Sequence, residues 1–219
     1  MKPRCSNKRT IGLTRFEVGV VIAVLMIAVA LLLPGLLNAR RHASRINCVN
    51  NLKQVGIAYR IWEGDNGDKY PMGISVTNGG AMELAATGDV LACFMLMSNE
   101  LSTPKILVCP ADTNRIGALT FAGLTASSNI SYFVGVDATS DMNPQMFLSG
   151  DGNFEIRGVP AKAGLLKLWT NDPVAWTTAR HNLNGNIGLA DGSVQQTTIP
   201  RLHELLQQTG LATNRLAIP

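Results

Sequence analysis

His181 is followed after nine residues by Asp191-Gly192, an imidazole and a carboxylate of the types used in general acid–base chemistry. No nucleophile or third member stands at a spacing that a catalytic triad would use. The plainer reading is structural. Residues 186–190 and 193–198 form a hairpin, Asp191-Gly192 supplies the positive φ of a type I′ turn, and His181 hydrogen-bonds across the hairpin's end. Cys5, Cys48, Cys93 and Cys109 include no CxxC pair, which argues against a zinc or thioredoxin-type site. Asp65, Asn66 and Asp68 are dense oxygen donors of the kind calcium takes, yet they fit no EF-hand spacing and read as solvated turn residues. Asp172 and Asp191 are further carboxylates that nothing in the sequence pairs, so no metal is assigned. Trp62, Trp169 and Trp176 are too few and too scattered for a carbohydrate platform and read as core or subunit-contact residues. No Gly-rich phosphate loop is present.

These side chains belong to a 219-residue chain of unusual balance, 46% hydrophobic and 16% charged, against roughly 25% charged for an ordinary soluble domain. Lys2, Arg4, Lys8 and Arg9 account for four of its nineteen basic residues, leaving fifteen to face fifteen acidic ones. Beyond residue 12 the chain is therefore neutral and lacks the concentrated basic face of a nucleic-acid binder.

Its apolar residues are concentrated in one place. No charge occurs between residues 18 and 39, and that run, as a helix, covers about 33 Å, enough for the hydrocarbon core of a bilayer. Five basic residues precede it (Lys2, Arg4, Lys8, Arg9, Arg15), and Arg40, Arg41 and Arg45 follow, an asymmetry that favours an inside N-terminus. Three readings fit such a segment: a signal-anchor, a secretory signal cut after Ala30, and a processed segment that polymerises. Against cleavage at Ala30, the apolar run continues through Leu31-Leu32-Leu33 and Leu36-Leu37.

Glu17 discriminates among them, because a carboxylate at the mouth of an apolar segment is costly without a partner. The basic leader ending in Gly12, then Leu13, Glu17, the unbroken apolar run and Pro34 together resemble the type IV prepilin signal. That resemblance implies cleavage at Gly12–Leu13 by a prepilin peptidase, N-methylation of Leu13 and a helix kink at Pro34. It also implies an assembly role for Glu17, neutralising the Leu13 ammonium of a neighbouring subunit. Family members usually have an aliphatic stretch before Glu, where this chain carries Arg15.

Helical spacing continues through Ala39, Ala43, Ile46, Val49, Leu52, Val55, Tyr59 and Trp62, ending at the turn cluster from Glu63 to Gly67. Cys48-Val49-Asn50-Asn51-Leu52-Lys53-Gln54 and Asp65-Asn66-Gly67-Asp68-Lys69-Tyr70-Pro71 resemble the CxNNLKQ and DNxGxYP signatures of the H-X9-DG family of pseudopilin-like proteins. Cys109-Pro110-Ala111-Asp112 and the pair His181, Asp191-Gly192 extend the likeness across most of the chain.

The expected fold is α+β and pilin-like: a leader at 1–12, a long helix at 13–63 and an antiparallel sheet domain at 64–219. The helix is transmembrane over about 18–39 and amphipathic over 39–63, and it packs on the sheet. Within the domain the sequence predicts a helix at 90–97 capped by Asp89, and strands at 106–108, 130–136, 164–170, 186–190 and 193–198. It also predicts a helix at 200–210 opened by Pro200, and loops at 73–88 and 138–152. A Cys48–Cys109 disulfide follows from the resemblance, leaving Cys93 a buried thiol; three free buried thiols are the alternative. Calcium is the metal that the resemblance raises, without a ligand set.

The implied function is a structural, non-enzymatic subunit. It is held in the inner membrane as a single pass with its N-terminus inside and its domain in the periplasm. It is then assembled with copies of itself or other pseudopilins by secretion or pilus machinery. The rival is a membrane-anchored periplasmic binding protein or hydrolase using His181 and Asp191.

Overall fold

The computed structural model describes residues 15–139, 141 and 143–219, the side chains of 34–41 excepted. The Gly12–Leu13 bond and Leu13 itself lie outside the described residues. The chain is α+β, with a long N-terminal helix and antiparallel sheets. It divides into two compact units, Met1–His42 and Ala43–Pro219. Helix α1 spans Arg15–Asp65.

In the first unit the stretch Arg15–Leu33 is apolar apart from Arg15 and Glu17, exposed at every residue, and long enough to cross a membrane. Glu17 stands in its first turn. The backbone at Pro34 is helical, and its side chain belongs to the group not described.

In the second unit α1 buries Cys48, Leu52, Val55, Tyr59 and Trp62, at spacings of 4, 3, 4 and 3. This corrects the stripe read from the sequence. Ile46 is 53% exposed, because each three-residue step falls about 60° short of a full turn and a run of threes drifts off the buried face. The alternation of four and three cancels the drift.

Six strands form the main sheet in the order β5-β9-β1-β2-β7-β8, every neighbour antiparallel. They are β1 (Tyr132–Gly135), β2 (Phe147–Asp151), β5 (Gly164–Trp169), β7 (Asn184–Leu189), β8 (Val194–Thr198) and β9 (Thr213–Ile218). A smaller antiparallel sheet joins β3 (Phe154–Ile156) to β4 (Val159–Pro160) and β6 (Val174–Trp176). Alternation along the strands divides two cores. Tyr132, Val134, Leu148 and Ala217 face the core that holds the buried side of α1 and of α3 (Val90–Leu96). Phe133, Phe147, Ile187 and Leu216 face a second core shared with α4 (Ile199–Gln208) and with Phe154 and Trp176 of the small sheet.

Several expected elements form. Asp89 caps α3 by accepting from the N–H groups of Leu91 and Ala92. Thr198 caps α4, with Pro200 in its first turn. Others differ. Residues 104–107 make a 3₁₀ turn rather than a strand, since Thr103 accepts from the Lys105 N–H and Pro104 opens the turn. The expected loop at 73–88 contains α2 (Met82–Thr87), and that at 138–152 ends in β2, whose five residues are all buried. Trp62 and Trp176 are core residues, whereas Trp169 is 58% exposed.

Candidate functional site

Four side chains from four distant segments converge below the sheet: Cys48, Cys109, Asp151 and His181. One donor atom from each lies within 4.8 Å of all the others. Helix α1 brings Cys48 in one turn ahead of Leu52. Cys109 follows the 3₁₀ turn, whose exit is fixed where Asn51 donates to the Val108 carbonyl at 3.2 Å and the Ser131 N–H donates to Leu107 O at 2.8 Å. Asp151 ends β2, opposite Tyr132 in the register. His181 enters from the segment before β7, where Asn182 and Leu183 both take positive φ, of 52° and 59°. Two successive left-handed residues that are not glycine cost about 1–3 kcal/mol each, strain that the surrounding contacts sustain. Asn184 helps by donating to the carbonyls of His181 and Asn182.

The contacts are close. His181 Nε2 lies 3.2 Å from Cys109 Sγ and 3.5 Å from Asp151 Oδ2. Cys48 Sγ lies 3.4 Å from Asp151 Oδ1 and 3.3 Å from the Tyr132 hydroxyl. The Asn186 backbone N–H and side-chain amide each donate to Asp151 Oδ2 at 2.9 Å, and the amide also reaches Cys48 Sγ. Beside them Arg180 sits 3.8 Å from Asp151 Oδ1, forms a 2.6 Å ion pair with Asp112, and donates to the Ser131 carbonyl.

Burial governs the electrostatics. It pushes the Cys48 thiol and the Tyr132 hydroxyl well above their ordinary values. Cys109 goes the other way, down to about 6, held first by the hydrogen bond from Cys48 and then by that with His181, against the cost of burial. Burial also opposes a charged His181, but the bond to Cys109 and the charge of Asp151 outweigh it and raise its pKa.

A low-lying thiolate beside an imidazole suggests a nucleophile, yet the geometry does not make a relay. In a Cys–His–Asp relay the carboxylate holds one ring nitrogen while the thiol uses the other. Here Cys109 and Asp151 both approach Nε2. Cys109 and Asp151 are also fully buried and the His181 side chain is 3% exposed, which leaves no room for a substrate. Two sulfurs, an imidazole nitrogen and a carboxylate oxygen are instead a donor set that suits a transition metal.

His181 and Asp191 are not brought together: they lie beyond opposite ends of β7. Asp191 is exposed in the β7–β8 turn, accepting from the Ser193 N–H at 2.8 Å. The hairpin itself is as expected, but its turn is not type I′. Only Gly192 has positive φ (84°), and its N–H closes on the Leu189 carbonyl, the pattern of a turn followed by one left-handed residue. Tyr70 anchors that turn by donating to the Ala190 carbonyl at 3.0 Å. A shallow hollow beside it is lined by Gly56, Ile57, Arg60, Ile61, Asp191 and Gly192.

The Cys48–Cys109 disulfide is absent: Cys48, Cys93 and Cys109 are free and buried, as in the alternative reading. Asn66 closes the end of α1 by donating to the Trp62 carbonyl, and Asp172 accepts from the Trp169 N–H in the turn after β5. Both act in turns. Sequence reasoning singled out Cys48, Cys109 and His181 separately and missed Asp151, which no motif marks. Compared with family models, with curated proteins and with solved structures, the chain finds no match.

Proposed function

We propose that this chain is a prepilin-like structural subunit, stored in the membrane by its N-terminal helix and assembled into a pseudopilus or pilus-like filament. The observation that carries the reading is the stretch Arg15–Leu33, nineteen helical residues, exposed throughout and apolar apart from Arg15 and Glu17. Burying it offers about 25 cal/mol per Å² of apolar surface, whether against lipid in storage or against sister helices in a filament. Glu17 lies in the first described turn of that helix, and the prepilin resemblance gives it the assembly role. After removal of residues 1–12 it would neutralise the Leu13 ammonium of the next subunit and set the axial register. Further along α1, Ile46, Ile57 and Ile61 are 53%, 58% and 49% exposed on one face, apolar surface that a neighbouring subunit would cover.

The rival, a membrane-anchored periplasmic binding protein or hydrolase, would need His181 and Asp191 to act together, and their placement beyond opposite ends of β7 lends it no support.

The test is N-terminal sequencing of the chain expressed in full with a prepilin peptidase. A start at Leu13 is expected, and a start at Met1 or Leu31 overturns the proposal. In the same cells Glu17→Ala should leave the amount of membrane-held protein unchanged and reduce its recovery in sheared filaments at least ~10-fold, the loss of one charge-pairing partner in an apolar shaft.

A further inference from the structure

We propose that Cys48, Cys109, Asp151 and His181 bind a single zinc ion that fastens α1 to the sheet domain. The inference is independent of the filament reading, since it concerns Ala43–Pro219 alone.

The argument starts from distances. A tetrahedral zinc with sulfur at about 2.3 Å and nitrogen or oxygen at about 2.0 Å holds its ligand atoms roughly 3.3–3.8 Å apart. The separations here are 3.2 Å for Cys109 Sγ to His181 Nε2, 3.5 Å for His181 Nε2 to Asp151 Oδ2, and 3.4 and 3.7 Å for Cys48 Sγ to the two Asp151 oxygens. They supply three of the six edges of such a tetrahedron, and the other three donor pairs lie within 4.8 Å. The convergence of a sulfur and a carboxylate on the same imidazole nitrogen, which defeats a relay, is what a shared cation at the centre requires. Two thiolates, an imidazole and a carboxylate are all zinc ligands, and softness of the sulfurs selects against magnesium and calcium.

The surroundings fit as well. Two thiolates and a carboxylate leave the zinc-bound centre with one net negative charge, and the Arg180 guanidinium, 3.8 Å from Asp151 Oδ1, lies close enough to offset it. Asn186 fixes the Asp151 carboxylate with two hydrogen bonds and also reaches Cys48, as groups around a metal orient its ligands. All four positions of the tetrahedron are filled by protein, and the site is closed to solvent. Such a centre is structural and holds no substrate water.

The experiment uses the full chain purified in detergent without added metal. Elemental analysis should return about one zinc per chain, falling to below about a tenth in Cys109→Ser or His181→Gln, as loss of a direct ligand requires. Because either variant could fail to fold, the wild-type chain is also stripped with a chelator under reducing conditions and titrated with Co²⁺. Tetrahedral visible bands with thiolate-to-cobalt charge transfer, displaced by zinc, are expected. Metal-free protein with a Cys48–Cys109 disulfide in non-reduced peptide maps and no cobalt spectrum after reduction overturns the proposal. Undiminished zinc in a folded ligand variant overturns it equally.

Discussion

At the entrance to β7 His181 is packed among two thiols, a carboxylate and an arginine, with its side chain 3% exposed; past the exit Asp191 lies in an exposed turn, and its carboxylate accepts from the Ser193 N–H two residues on. The ten-residue offset between them is the length of a six-residue strand, about 20 Å, with its flanking turns. A motif whose members stand at fixed spacing suggests a joint task. Here the spacing is set by the strand that separates them. One end stitches distant segments together, and the other end shapes a hairpin.

Substitutions at the two ends should therefore differ in size. The largest effect is expected for Asp151→Ala, which leaves both Asn186 donors without their buried acceptor and removes the carboxylate beside His181, while Arg180 keeps its ion pair with Asp112. Denaturant unfolding of the full chain in micelles should show a loss of about 3–5 kcal/mol. At the opposite end Gly192→Ala forces a side chain onto φ of 84°, although the space around it is open, and about 1–2 kcal/mol is expected by the same measurement. Asp191→Ala removes one exposed hydrogen bond to the Ser193 N–H and should cost about 0.5 kcal/mol. If Asp191→Ala proved as damaging as Asp151→Ala, the division of labour along β7 would be wrong.

What could be read beforehand follows the same physical line. The Asp89 cap, the 184–198 hairpin and the helix after Thr198 are local devices, and each was legible from a few neighbouring residues. Strand β2 was not. Phe147-Leu148-Ser149-Gly150-Asp151 is buried on both faces, so it lacks the alternation that marks a half-exposed strand, and its polar members look like loop. Ser149 is tolerated there because its hydroxyl donates to the Phe133 carbonyl. Gly150 is required because a Cβ would meet Phe133 and the Asn186 carbonyl at 2.7 Å. The four-donor cluster was hidden for a related reason. Metal sites are read from short spacings, and these four donors come from a helix, a turn, a strand end and a strained segment that only the sheet register brings together.

Strand β9 lies between β5 and β1, in the interior of the main sheet, and it is the final element of the sequence in hand. Six of its residues pair with β5 on one side, while Ala217 and Leu216 pair with β1 on the other. Without β9, β5 loses its neighbour in the main sheet and β1 is left with an open edge, so this one strand zips two seams at once. A deletion within Thr213–Ile218 would therefore be felt at the centre of the main sheet before its periphery.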